Sequence, residues 1–221
     1  MHVGKYTFGE FMGMVTAFHG YPAPGVLIGG YMVEAARAGL KNGVLFEALV
    51  ETSKCLPDAV QLLTPCTTGN GRIRVIDLGR FALALFDKYT GKGFRTFVDL
   101  EKLGPWSEIS SWFLRLKKKG EGDQKRLLAE IEAAGDSILT TLTVQIAPHL
   151  LGRAQSGAIA QCPICKEAYP KDHGPICRGC QGDLPYVEEG PDGLRGDAFD
   201  PLSVNGGPIS YNPSHLRDGP S

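Results

Sequence analysis

The chain has 221 residues, of which 43% are hydrophobic and 21% charged, and its formal net charge at pH 7 is -1. This composition supplies one hydrophobic core and a smaller appendage, so we expect two domains. The longest wholly apolar run, at residues 81–86, has six residues and excludes a membrane-spanning helix. The start of the chain shows no apolar signal segment. We therefore expect a soluble, cytoplasmic protein.

Helical signals come first along the chain. Thr7 and Glu10 form a capping-box pattern, and apolar residues follow at helical spacing, which predicts a helix ending near Phe18. A loop rich in proline and glycine comes next. Pro24 fits the first position of a second helix, which should stop at Gly39.

The middle of the chain shows mainly strand patterns. Residues 44–52 are an apolar segment, and Pro57 begins a short helix. Turn residues separate three strand-type runs, which predict an antiparallel meander, at 73–76, 81–86 and 94–98. The later elements are two helices and a strand, at 106–117, 123–134 and 140–146. The predicted class of this domain, residues 1–151, is α+β, with helices packed on an antiparallel sheet.

Two CxxC pairs separated by eleven residues carry the strongest chemical signal. Each pair lets two sulfur atoms face one ion from a tight turn, and two pairs complete a tetrahedral zinc shell with no position left for water. A closed shell of this kind is structural rather than catalytic. The sequence therefore predicts a structural Zn²⁺ in a small C-terminal zinc ribbon, residues 161–190, with the ligands Cys162, Cys165, Cys177 and Cys180.

Disulfides and a histidine ligand are the alternatives to four thiolates on zinc in this segment. Four cysteines can also form two disulfides, but the lack of a signal segment and two further cysteines, Cys55 and Cys66, favour the metal. His173 lies between the two pairs. Because four thiolates already fill the shell, we expect His173 to be a solvated loop residue.

The segments around the ribbon have a different composition. Residues 152–160 are small and polar, which predicts a linker between the two domains. The last 31 residues, 191–221, contain five prolines and five glycines without periodicity. This composition predicts an extended tail, either disordered or laid across another surface.

Local charge indicates what the ribbon contacts. Residues 161–190 carry three basic and five acidic side chains, and a zinc ion with four thiolates adds a formal charge of about -2. The resulting charge of about -4 disfavours binding to phosphates, which depends on Lys and Arg. We expect the ribbon to contact a protein partner or the other protomer. A nucleic-acid-binding regulator that acts through the ribbon is the less favoured alternative.

Five short motifs occur together in the first domain. They are FHG at 18–20, PG at 24–25, ETSKCLPDAVQ at 51–61, CTTGNG at 66–71 and DLGR at 77–80. In order and spacing they resemble the FmdE family of formylmethanofuran dehydrogenase proteins, over about residues 5–150. The resemblance implies an α+β core, commonly an intertwined homodimer, and often a C-terminal zinc ribbon. In that family the catalytic metal belongs to other subunits, so the resemblance implies a zinc-binding accessory protein.

The first loop departs from the family pattern. In the family it usually reads His-Gly-His-x-Cys-Pro-Gly, a set of ligands that suits a transition metal. Here Tyr21 replaces the second histidine and Ala23 replaces the cysteine. Of the ligands in this loop only His19 is left, which weakens the expectation of a metal in the core.

The resemblance places His19, Cys55, Cys66 and Thr68 around one cleft. These residues are candidates to bind a second transition metal or another cofactor. Alternatively the chain is an enzyme, in which Cys55 or Cys66 is the catalytic thiol and His19 the base. The competing interpretation is that the cysteines are small buried hydrophobic residues and that Thr68 belongs to an ordinary turn.

Overall fold

The structure is a computed structural model that describes residues 1–118, 122–152 and 157–186, together with the backbone of 189–190 and 193–194. It divides into two compact units, Met1–Arg153 and Ala154–Ser221. Within the described part of the chain, no helix has the length and apolar character needed to cross a bilayer. Apart from the backbone of 193–194, the predicted tail at 191–221 lies outside the described residues.

The first unit combines helices with a mostly antiparallel sheet, which confirms the predicted α+β class. Its strands are β1 (His2–Val3), β2 (Tyr6–Thr7), β3 (Phe46–Val50), β4 (Ile73–Val75), β5 (Ala82–Asp87), β6 (Lys92–Val98) and β7 (Leu139–Gln145). Its α-helices are α1 (Phe8–His19), α2 (Pro24–Ala38), α3 (Leu56–Leu63), α4 (Ser107–Phe113) and α5 (Gln124–Ala134).

The first two helices begin where their capping residues predict. At the start of α1, the Glu10 amide donates to Thr7 Oγ1 over 3.2 Å, and the Thr7 amide donates to the Glu10 carboxylate over 2.8 Å. This reciprocal capping box satisfies two amides that the helix itself cannot bond. Pro24 is the first residue of α2, and Gly39 is its C-cap, as predicted.

Helix α2 lies at the centre of the unit, with ten of its fifteen residues buried. Two glycines let neighbouring helices come close to its backbone. A Cβ atom on Gly30 would be 2.4 Å from Phe11 of α1, and one on Gly29 would be 2.7 Å from Ala59 of α3. Close contact across these glycines excludes water from the core, where each fully buried leucine or isoleucine contributes about 1.5–3 kcal/mol.

The strand order of the main sheet is β4-β3-β5-β6-β7. The predicted meander through residues 73–76 is therefore wrong at its first strand, because β4 does not pair with β5. It pairs in parallel with β3, with Ala48 opposite Ile73. A parallel neighbour requires a long crossover, which α3 provides. The apolar β3, four of whose five residues are buried, takes the interior position.

The two faces of the sheet are covered differently. One face packs on the helices of the main core, and the other carries a smaller cluster formed by Leu49, Phe86 and Ile146. Leu150 and Leu151 pack against this cluster. Arg74 donates hydrogen bonds to the carbonyls of Leu150 and Gly152. These bonds hold the segment that leaves the first unit against the sheet.

The second unit contains an antiparallel pair, β8 (Ile159–Gln161) and β9 (Ala168–Pro170), and a short backbone pair, β10 (Glu189–Gly190) and β11 (Gly193–Leu194). Strand β8 begins inside the segment 152–160, which the sequence predicts to be a linker. Ile159 pairs with Pro170 and Ala160 with Tyr169. The folded part of this unit thus begins before residue 161.

Two glycine substitutions test the packing of the first unit. A Cβ atom on Gly93 would lie 2.3 Å from the Leu85 carbonyl oxygen, a backbone atom that cannot rotate away. Gly93→Ala should therefore lower the free energy of unfolding by roughly 1–3 kcal/mol. The matched control is Gly13→Ala in α1, where no atom lies within 4 Å of the added methyl group. The control should stabilise the unit by up to about 1 kcal/mol.

Urea unfolding followed by tryptophan fluorescence measures both effects, because Trp106 and Trp112 belong to the first unit. Equal changes in stability for the two variants would contradict the packing described for β5 and β6.

Candidate functional site

The first CxxC pair lies in the turn between β8 and β9. The Cys162 amide donates to the Glu167 carbonyl over 2.8 Å, and the Lys166 amide donates to the Cys162 carbonyl over 3.0 Å. Lys166 has a φ of 66°, which closes the turn. These bonds fold the chain back immediately after Cys165, so that both thiols point into one turn.

The second pair brackets a single helical turn, Gly179–Gln181. The Cys180 amide donates to Cys177 Sγ over 3.4 Å, and the Gln181 amide donates to the Cys177 carbonyl over 3.1 Å. The Gln181 side chain also donates to the carbonyls of His173 and Ile176, which fixes the spacer. An N–H group directed at sulfur stabilises a thiolate, the form that binds zinc.

The two turns bring four thiols into one cluster. Sγ of Cys165 lies 3.6 Å from Sγ of Cys177, close to the edge of about 3.8 Å in a tetrahedron of 2.3 Å Zn–S bonds. A disulfide would require about 2.05 Å, and the cysteines are free thiols. This donor set fits Zn²⁺. The sulfur atoms that lie within 4.8 Å of one another belong to Cys162, Cys165, Cys177 and Cys180.

The pKa values within the cluster are strongly divided. Burial raises the pKa of Cys162, but backbone N–H groups nearby stabilise its thiolate more strongly and bring the pKa down to about 6. Burial and the neighbouring cysteines raise the pKa of Cys180 to about 12. Thiols this close cannot all ionise in the absence of a cation, and a divalent ion removes that restriction. His173 is exposed and lies outside the four-thiol group.

In the first unit, His19 makes a short polar contact at the end of α1. Its Nδ1 atom lies 2.6 Å from Oδ2 of Asp58, in the first turn of α3. The ring of Tyr21 packs edge-on against His19, with centroids 5.0 Å apart. With Asp58 accepting the Nδ1 proton, Nε2 is left as the basic nitrogen of the neutral ring.

Cys55 is the N-cap residue of α3 and has a φ of 59°, an uncommon conformation for a residue other than glycine. Its side chain packs closely over Gly25, where an added Cβ atom would lie 2.8 Å from Sγ. Burial, followed by the negative charge of Asp58, raises the pKa of the Cys55 thiol. The thiol is therefore held in its protonated, less reactive form.

The other two candidate residues of the cleft lie elsewhere in the unit. Cys66 is fully buried, its Sγ lies 3.5 Å from the Phe46 carbonyl, and burial raises its pKa. Thr68 is exposed, and its amide and hydroxyl donate to Oε1 of Gln61 over 3.2 and 3.3 Å. Both residues have structural partners in the fold.

His19, Cys55 and Cys66 do not form a ligand group within one chain. Among the residues that the structure describes, the four thiols of the second unit are the group whose ligand atoms approach one another closely enough to share an ion. A second metal in the core stays a prediction from the family resemblance.

A buried carboxylate organises the loop that carries Cys55. The two oxygens of Glu51 accept hydrogen bonds from Arg95 over 2.6 and 2.9 Å, and Arg80 lies 2.7 Å from Oε2. The main-chain carbonyl of Glu51 accepts from the amides of Leu78 and Arg80, and Ser53 donates to Asp77 over 2.8 Å. The motifs at 51–61 and 77–80 are therefore neighbours in space.

Two of these partners were not identified from the sequence. Asp58 lies 39 residues from His19, and Arg95 lies 44 residues from Glu51. The sequence identifies Asp58 only as an acidic residue in the first turn of a helix. No local spacing connects residues so far apart along the chain, and their pairing follows from the positions of α1, α3 and the strands.

Two family models match the chain. Residues 18–146 match the model described as FmdE, molybdenum formylmethanofuran dehydrogenase operon. Residues 153–187 match the model of the FmdE treble clef zinc finger. The second match covers the unit predicted as a zinc ribbon, and it includes all four clustered cysteines.

Individual relatives agree with these matches. A crystal structure of an FmdE-like protein of tungsten formylmethanofuran dehydrogenase from Syntrophus aciditrophicus is 50% identical, with a TM-score of 0.79 over 84% of this chain and 98% of that chain. A probable S-adenosyl-L-methionine-binding protein from Archaeoglobus fulgidus is 33% identical over 137 residues. That match covers 55% of this chain but only 37% of the relative.

The Glu51 contacts predict how the stability of the first unit depends on pH. Hydrogen bonds from Arg95 hold the pKa of Glu51 below its ordinary value. A lowered folded-state pKa contributes stability above the unfolded-state pKa, and that contribution is lost as the pH falls through the folded-state value. Glu51→Gln should cost about 3 kcal/mol at neutral pH, and should show a smaller further loss between about pH 5 and pH 3 than the wild type.

The measurement is urea unfolding by tryptophan fluorescence at several pH values, with Glu132→Gln on the exposed face of α5 as the control. The account of this carboxylate fails if Glu51→Gln and the wild type lose the same stability on acidification.

Proposed function

The chain belongs to the FmdE family, as its motifs predict, and we propose that it is a zinc-binding accessory protein that acts through protein contacts. In this proposal the treble clef finger holds one structural zinc ion and serves as the contact module. The FmdE core forms a homodimer and presents no activated catalytic group of its own. The gathering of the four thiols is the observation that carries the proposal.

A shell of four thiolates leaves no coordination site for a substrate or an activated water. Zinc bound in this way supplies folding energy rather than chemistry, on the order of 10 kcal/mol for small zinc modules. The family description and the solved relative refer to molybdenum and tungsten enzymes. A zinc finger beside an FmdE core supports a role as a partner of such an enzyme.

The exposed surface of the finger suits contact with a protein. Four apolar side chains are at least 36% exposed in this small unit, namely Ile159, Ile164, Leu184 and Tyr186. Residues 161–190 carry more acidic than basic side chains. Apolar contacts with little positive charge are typical of protein interfaces, whereas nucleic acids require Lys and Arg. We therefore favour a protein partner.

The thiols of the core argue against the alternative of a cysteine-dependent enzyme. A nucleophilic cysteine needs a lowered pKa, whereas burial raises the pKa of both Cys55 and Cys66. All six cysteines are free thiols, which supports our proposal of a reducing compartment such as the cytoplasm.

Apolar side chains at one end of the core support the homodimer. Phe18, Tyr21 and Leu78 are each more than half exposed. They flank the contacts that join His19 to Asp58 and Ser53 to Asp77. Light scattering during size-exclusion chromatography should give twice the mass of one chain, and a monomer at micromolar concentration would remove the homodimer from the proposal.

Metal analysis tests the assignment of zinc. We expect about one zinc ion per chain for the wild type and for Cys55→Ser, and nearly none for Cys162→Ser, because loss of one thiolate opens the shell. A chelator should unfold the finger without changing the tryptophan fluorescence of the first unit. Two ions per chain that fall to one in Cys55→Ser would show instead that the core holds a metal.

Alkylation tests the absence of an activated thiol. With zinc retained, iodoacetamide should modify Cys55 at neutral pH no faster than the same thiol in urea, because its thiolate fraction is reduced. Peptide mass spectrometry gives the rate for each cysteine, and Cys55→Ser identifies the peptide. Modification of native Cys55 that is faster than in urea would favour the enzyme.

A further inference from the structure

A second concave site lies on the first unit, formed by residues that neither the motifs nor the zinc cluster include. The cavity has a volume of about 550 Å³. Its walls come from the β1–β2 hairpin, the second half of α2 and the end of α3. The lining includes the apolar side chains of Val3, Leu62, Leu63 and Pro65 and the charged side chains of Lys5, Glu34 and Arg37.

Glu34 is poorly compensated for a half-buried carboxyl group. Its Oε1 atom is buried and makes no hydrogen bond, although Nη1 of Arg37 lies 3.0 Å away. Burial raises the pKa of Glu34, and the charge of Arg37 offsets only part of this effect. Buried polar atoms without hydrogen bonds are rare in folded proteins, and a cation bound beside this carboxyl would stabilise its ionised form.

The hairpin turn is built close to this carboxyl group. Gly4 has a φ of 59°, and a Cβ atom on it would lie 2.9 Å from Oε1 of Glu34. Only glycine allows the turn to approach the carboxyl this closely. The turn thus forms a wall of the cavity directly against the charged group.

Two cations lie on the same lining. Arg37 donates to the Leu63 carbonyl at the end of α3, and this bond together with the Glu34 contact fixes its guanidinium. A guanidinium has five N–H donors, so donors are left for an anionic ligand. Lys5 is exposed, with its Nζ 5.1 Å from the centre of the Tyr6 ring. The cavity therefore combines one carboxyl, two cations and apolar walls.

We propose that this cavity binds an α-amino acid with an apolar side chain. The ligand's ammonium group pairs with Glu34, its carboxylate pairs with Arg37 and Lys5, and its side chain packs on Val3, Leu62 and Pro65. An ammonium ion provides the positive charge that Glu34 lacks, and a carboxylate matches the fork of an arginine. The site is independent of the zinc finger and of the contact role proposed above.

Thermal unfolding of the zinc-loaded full chain tests this inference. The probes are leucine, isoleucine, valine, methionine and phenylalanine, each at about 10 mM. At least one should raise Tm by roughly 2–4 °C. Glu34→Gln should weaken its binding about tenfold or more, which is the loss expected for one charged hydrogen bond. Glu101→Gln, an exposed carboxyl outside the cavity, should bind like the wild type.

Lys5→Ala is the second variant, since Lys5 is exposed in a turn and its loss leaves the core intact. It should bind the same probe more weakly at unchanged Tm without ligand. Isocaproate and isoamylamine, which each keep one charged group of leucine, should bind more weakly than the amino acid. The inference is overturned if none of the five probes raises Tm, if Glu34→Gln retains the full shift, or if either half-ligand binds equally well.

Discussion

The close approach of four thiols is the constraint on which the second unit depends. Within one chain, sulfur atoms less than 4.8 Å apart cannot all be ionised unless a cation lies between them. The turn after Cys162 and the helical turn at Cys177 place the sulfurs at this separation. Described apolar burial in the unit is small, with Tyr169 and Cys162 its buried hydrophobic residues. A divalent ion at the cluster therefore supplies the stability that a core of this size cannot provide.

The first unit obtains its stability differently, from close packing around α2 and from buried ion pairs. Glycines on α2 let α1 and α3 approach its backbone, and the Glu51 contacts join β6 to the two loops beside Cys55. These contacts place His19, Asp58 and Cys55 at one end of the unit but leave the thiol protonated. The fold thus preserves the family's cleft while the replacements at Tyr21 and Ala23 remove its ligands, which agrees with a role in contact rather than in catalysis.

Local signals in the sequence predicted the elements well because they act over a few residues. The capping box at Thr7, the proline at position 24 and the CxxC pairs each satisfy their own backbone or ligand requirements locally. The position of β4 was predicted wrongly, because pairing with β3 depends on the path of α3 and not on the strand's own residues. The His19–Asp58 pair, the Glu51–Arg95 pair and the cavity at Glu34 likewise arise only when distant segments meet, so the sequence alone did not reveal them.

X-ray absorption spectroscopy at the zinc edge of the purified protein tests the central claim most directly, since it reports the atoms bound to the metal. The account predicts a single shell of four sulfur atoms at about 2.3 Å, with no nitrogen or oxygen ligand. A shell that contains nitrogen or oxygen, for example from His173 or water, would contradict the closed four-thiolate site. So would cysteines joined as disulfides with no zinc bound.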